Sequence, residues 1–126
     1  MTDVDRRTAA ARFAADWKGR GDEKQETQRF WIELLTKVFG IDGSTAISFE
    51  VPVKLDHTSF IDGYIESTRV LIEQKGREID LRKGYKQSDG SMLTPYQQAR
   101  RYAGYLPYNQ VPRWIIVCNF QEFQIH

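Results

Sequence analysis

Three charged side chains sit among apolar residues in the stretch Phe60 to Arg77, F-I-D-G-Y-I-E-S-T-R-V-L-I-E-Q-K-G-R. Asp62 lies between Phe60-Ile61 and Tyr64-Ile65. Glu73 and Lys75, two residues apart, follow Val70-Leu71-Ile72. Strand side chains alternate with a period of two, so Glu73 and Lys75 share a face. A charge inside an apolar strand is costly unless something pairs with it, and a divalent cation is one such partner. Two carboxylates and a lysine suit metal-assisted phosphodiester hydrolysis. Mg²⁺ takes oxygen ligands and keeps several waters. It neutralises phosphate charge and acidifies a bound water. A lysine can orient that water or offset developing negative charge. A solvated Glu73–Lys75 salt bridge, with Asp62 as a turn residue, would use the same residues for no chemistry at all.

The elements that must position these groups are legible from pattern. The two apolar runs flank Glu66-Ser67-Thr68 and read as a β-hairpin. Adjacent strands lie about 4.8 Å apart, which would bring Asp62, Glu73 and Lys75 together. Upstream, Thr8 to Trp17 reads as a short helix with Phe13 and Trp17 on one face. Lys18 to Asp22, K-G-R-G-D, breaks it. Its Lys18 and Arg20 could touch phosphate or form a solvated turn. Glu23 to Phe39 is the clearest helix, with Phe30, Trp31, Leu34, Leu35 and Val38 on an apolar face and Gly40 as its C-cap. Glu23 and Glu26 suit the helix dipole in its first turn. Glu26 is the candidate for a further metal ligand reaching in from this helix.

After a loop over residues 41–45, Ala46 to Leu55 alternates, with Ile47, Phe49, Val51, Val53 and Leu55 expected on one side. Pro52 argues for an edge strand or a bulge. Asp56 to Ser59 is a turn, and His57 a lone surface histidine. The polar stretch after Lys75 carries Arg77, Arg82, Lys83, Lys86 and three glycines. It could clamp a phosphate backbone and be partly unordered without DNA, or be an ordinary solvated loop. Thr94-Pro95 caps a helix to about Leu106, with Tyr96, Ala99, Ala103 and Leu106 facing inward. Gln98 and Tyr102 lie four apart at the edge of that face, and Arg100 and Arg101 point outward. Trp114 to Cys118 reads as a strand buried on both faces. Phe123 to His126 begins another, and its abrupt end suggests a fragment of a longer polypeptide.

The 126 residues fit a single domain, and 40% hydrophobic content supplies a core. Net charge is +1, from 18 Lys and Arg against 17 Asp and Glu, which excludes the strong basic excess of a stand-alone nucleic-acid binder. One cysteine, Cys118, permits no internal disulfide and suits the cytoplasm. The N-terminus lacks a signal region, and no apolar run reaches membrane-span length.

The order of helix, three strands, helix and two strands, with the charges on the second and third strands, resembles the restriction-endonuclease-like α/β fold of PD-(D/E)XK nucleases. That fold has a central mixed sheet of about four to five strands flanked by helices. Asp62 and the triplet Glu73-Gln74-Lys75 match the family's metal-binding pattern, with Ile61 where a proline often stands. Gln98 and Tyr102 resemble the Gln-x-x-x-Tyr helix motif of some branches. A wider resemblance is to the N-terminal nuclease domain of MmeI-like restriction–modification enzymes. It is carried by W-K-G-R-G-D-E-K-Q-E-T-Q-R-F-W, F-I-D-G-Y-I, V-L-I-E-Q-K-G, Y-Q-Q-A-R-R-Y and L-P-Y-N-Q-V-P-R-W-I-I-V-C-N-F.

The resemblance implies a Mg²⁺- or Mn²⁺-dependent endonuclease acting on double-stranded DNA. Asp62, Glu73 and the backbone carbonyl of Gln74 would hold the metal, Lys75 would position the water, and Gln98 would assist. Arg77, Arg82, Lys83, Lys86, Arg100, Arg101 and Tyr102 would contact DNA. It also implies a longer polypeptide with an adenine methyltransferase using S-adenosylmethionine, a target-recognition domain, and transient dimerisation on DNA. Two other readings stand beside it: a catalytically silent nuclease-fold module for DNA binding or domain docking, and a protein-interaction domain using the charged loop.

Overall fold

The computed structural model describes residues 1–55 and 57–126; the expected turn residue Asp56 lies outside them. Helix α1 spans Asp3–Asp16, five residues earlier at its start than the apolar pattern suggests. The reason is a capping box at Thr2 and Asp5, which satisfies the first free N–H groups of a solvent-exposed turn. Helix α2 spans Glu23–Glu33, capped by Asp22, and loosens into a π-helical turn over Leu34–Val38. Gly40 at φ 69° ends it, and the Ile41 N–H reaches back to the Leu35 carbonyl. A single helical turn, α3, Gly43–Ala46, replaces the expected loop.

Strands β1 (Ser48–Lys54), β2 (Thr58–Ile65) and β3 (Val70–Gln74) run antiparallel in succession. After a two-strand ribbon, β4 (Tyr85–Lys86) with β5 (Met92–Leu93), comes helix α4, Pro95–Ala103. Strand β6 (Trp114–Cys118) then pairs parallel to β3, and β7 (Phe123–Ile125) pairs antiparallel to β6. The five-stranded mixed sheet therefore has the order β1-β2-β3-β6-β7, as expected for this α/β fold.

Side-chain alternation in β3 divides the core. Val70 and Ile72 join an aromatic core with Phe13, Trp17, Phe30, Trp31 and Phe120, beneath α1 and α2. Leu71 joins a second core with Ile61, Tyr64, Leu81, Ala99 and Val117, beneath α4. By the same period of two, Glu73 and Lys75 face α4, and Gln74 faces α2.

Three expectations about strands and loops are corrected. Strand β1 does not keep one apolar side. Glu50 adopts φ 51°, and the strand changes face there: Ile47 and Phe49 pack in the aromatic core, Val51, Val53 and Leu55 in the other. Pro52 is nonetheless on an edge strand, as predicted. Strand β6 is buried along most of its length, but Trp114 at its start is 51% exposed. The polar segment after Lys75 is folded. Leu81 is buried, the Asn119 amide donates to the Ile79 carbonyl at 2.9 Å, and β4–β5 closes its far end.

Candidate active site

The site lies where β2 and β3 part. Ladder pairing between them covers Gly63–Ile65 against Val70–Ile72 and stops before Asp62 and Glu73. In place of a ladder bond, the Gln74 N–H donates to Asp62 Oδ2 at 2.7 Å. The carboxylate thus stands in for a backbone carbonyl and is drawn to the end of β3.

Glu73 is buried, and its Oε2 lies 3.2 Å from Lys75 Nζ. Lys75 Nζ also donates to Gln98 Oε1 at 2.9 Å, and Gln98 Nε2 donates to the Tyr102 hydroxyl at 3.0 Å. The predicted Asp62, Glu73, Lys75 and Gln98 are thereby brought together, and Tyr102 sits behind Gln98. The cap that starts α4 is a second capping box, between Thr94 and Gln97, which fixes the height of Gln98 above β3.

Electrostatics mark these groups off from the rest of the molecule. Burial first, then the neighbouring Asp62 charge, push the Glu73 carboxyl up to about 8 against the pull of Lys75. Burial likewise outweighs the Gln74 N–H and leaves the Asp62 carboxyl raised to about 6. Burial pulls the Lys75 ammonium down, but Glu73 outweighs it and the net shift is upward. Perturbed acids paired with a base in one cleft are characteristic of functional sites.

The helix carboxylate that acts on this cluster is Glu23, not Glu26. The Glu23 charge raises Asp62, Glu73 and Lys75 alike. Glu26 turns instead to Arg20 at 3.0 Å and accepts the Asp22 N–H. The first-turn position of both residues left this choice open; Arg20 in the preceding turn is the signal that separates them. Arg20 also stacks on Trp17, 3.8 Å from the ring centroid, so it is committed to the fold.

A cleft of about 280 Å³ opens over the cluster, lined by Glu23, Lys75, Glu78, Tyr85, Lys86 and Gln98 among others. Lys86 and Lys83 are exposed. The other expected DNA contacts are partly engaged. Arg82 makes a two-pronged pair with Glu122, at 3.0 and 2.9 Å. Arg101 pairs with Asp89 at 3.2 Å, and Arg100 donates to the Tyr96 hydroxyl at 3.0 Å. The Arg77 backbone is tied to Gly21 and Gln121.

The donor set bears on whether a cation would fit. Among the described residues, Glu73 Oε1 is buried with no hydrogen-bond partner. A buried carboxylate oxygen left without a partner is unfavourable, and a hard cation is the partner its chemistry suits. Among the described residues no group of three or more His, Cys, Asp and Glu side chains is arranged as a ready-made metal cage. An ion here would have two carboxylates, one backbone and otherwise water, which is how Mg²⁺ is commonly held.

Over residues 8–126 the chain matches the family described as MmeI, N-terminal domain. The protein belongs to this family. That places it in a restriction–modification setting. No curated protein and no solved structure matches it. Among the described residues no helix is long and apolar enough to cross a membrane.

Proposed function

We propose that this MmeI-type N-terminal domain is the cleavage module of a restriction–modification enzyme, hydrolysing DNA phosphodiesters with Mg²⁺, or Mn²⁺ in its place. The observation that carries the reading is Glu73 Oε1, buried beside Asp62 and without a hydrogen-bond partner among the described residues, next to Lys75, which lines the cleft. Asp62, Glu73 and the Gln74 backbone carbonyl would hold the ion, in the manner of PD-(D/E)XK nucleases. The ion would neutralise phosphate charge and acidify a water.

The chain's own residues do the rest. Lys75, drawn to Glu73 and Gln98, presents its ammonium to the cleft, where it orients the attacking water and offsets charge developing on the phosphate. Gln98 limits the rotamers open to Lys75, and Tyr102 limits those open to Gln98. Glu23, whose charge bears on both Asp62 and Glu73, adds negative potential that favours a cation. Lys86 and Lys83 line the approach for the DNA backbone. A methyltransferase using S-adenosylmethionine and a target-recognition domain would belong to the same cytoplasmic polypeptide, and two copies would meet on DNA to cut both strands.

Plasmid cleavage tests the reading. Nicking or linearisation with Mg²⁺, stopped by EDTA and lost in Asp62→Asn and Glu73→Gln, is expected. DNA binding with no cleavage under any divalent metal would instead make this a silent module.

A further inference from the structure

We propose that Trp31 is a positioning residue for the Asp62–Glu73–Lys75 cluster, acting through the buried amide of Gln74; what the cluster does rests on the hydrolytic reading above. Gln74 stands between Glu73 and Lys75 in sequence but faces the opposite side of the sheet. It is 0% exposed, against the aromatic core. A primary amide in such surroundings is tolerated when both its ends are bonded. Both are. Its Oε1 accepts the Trp31 indole N–H at 2.7 Å, and its Nε2 donates to the Lys75 carbonyl at 3.0 Å. Its backbone N–H is the one held by Asp62.

The indole nitrogen can only donate. It therefore selects the amide orientation, since the reversed one would set N–H against N–H. With the oxygen committed to Trp31, the amide nitrogen is left for the Lys75 carbonyl. The Lys75 N–H is bonded to the Cys118 carbonyl at 2.7 Å. The backbone of Lys75 is thus gripped at both its polar groups. That grip aims its side chain at Glu73 and Gln98 on the far face of the sheet. Trp31 is 3% exposed and lies behind the sheet, and among the described residues its side-chain hydrogen bond goes to Gln74. The same bond docks α2, whose first residue is Glu23.

Two variants test this. Trp31→Phe keeps most of the ring and removes the N–H. Gln74→Met keeps the length and removes the amide, leaving α2 unaltered. Amide hydrogen exchange, Mn²⁺ affinity by electron spin resonance, and kcat and KM on plasmid DNA are measured. Each variant is expected to speed exchange at the Gln74 and Lys75 N–H groups about tenfold relative to Leu71 and Ile72 in the same strand, to weaken Mn²⁺ binding several-fold, and to lower kcat about tenfold with KM unchanged. The double variant should be no worse than either single one, because the two residues share one path. Equal acceleration across β3, additive losses, or wild-type exchange with unchanged kcat would each overturn the proposal. Trp31→Phe failing to fold while Gln74→Met exchanges and cleaves as wild type would overturn it too. If the wild-type protein neither binds Mn²⁺ nor cuts DNA, the hydrolytic reading fails, and the exchange pattern still decides whether Trp31 positions the Lys75 backbone.

Discussion

At the scale of single residues, two acids are held against their preference. Asp62 and Glu73 have folded pKa values of about 6 and 8, against ordinary values of 3.8 and 4.5. Folded protein therefore holds more protons than unfolded protein between roughly pH 4 and pH 8. Stability from these groups is greatest at the acidic end and is lost as pH rises through the folded values. A full proton of difference amounts to about 1.4 kcal/mol per pH unit. Thermal melts of the metal-free protein should thus show Tm falling from pH 5 to pH 8, and Glu73→Gln should flatten that slope. A Tm rising over this range would show that other groups dominate. Lys75→Ala should abolish cleavage while leaving DNA affinity near wild type, since the ammonium acts on the water in the transition state. Cleavage at the wild-type rate would make Lys75 structural. The trio of Asp62, Glu73 and Lys75 was legible because strand alternation is rigid. Glu23 was not, because a helix pattern does not say which first-turn carboxylate overhangs the neighbouring sheet.

At the scale of elements, turns set the heights of the site's components. Gly21 lies in the turn leading into α2, at φ 150°, and a Cβ there would come within 2.8 Å of both the Arg77 Cβ and the Phe120 ring. Gly21→Ala should therefore push apart the α2 start and the segment after Lys75. Overpacking of this kind costs about 1–3 kcal/mol, readable as a lower denaturation midpoint. Thr94→Ala removes the α4 cap and should cost about 1 kcal/mol, with a fall in kcat as Gln98 loses its fixed position over Lys75. Helices α2 and α4 could be read from sequence because caps and apolar spacing agree there. The face change at Glu50 could not: Ile47 through Leu55 alternate without a break, and a backbone residue at positive φ leaves no mark when it is not glycine. Strands β4 and β5, two residues each, are too short to show any period.

At the scale of the whole molecule, two of the cations expected to meet DNA are spent internally. With Arg82 paired to Glu122 and Arg101 to Asp89, the expected DNA contacts that are exposed and outside any ion pair among the described residues are Lys83, Lys86 and Arg100. About three phosphate contacts correspond to a log–log salt slope of roughly −3 for DNA binding. Fluorescence anisotropy across salt concentrations should find this slope, and Glu122→Gln, by releasing Arg82, should steepen it by about one. An unchanged slope in that variant would remove Arg82 from the DNA face. The architecture has one more consequence. Helix α1 buries just Phe13 along its length and Trp17 at its end, while the rest of it faces solvent. Such a helix is a local unit of low opening free energy, able to undock while the sheet persists. Its melting would uncover Phe30 and the aromatic core, and leave the α4 side of the sheet, where Glu73 and Lys75 lie, intact. On gentle heating the protein should therefore pass through a window in which Trp17 fluorescence has already changed and proteases cut before Asp22, yet the cleft keeps its geometry.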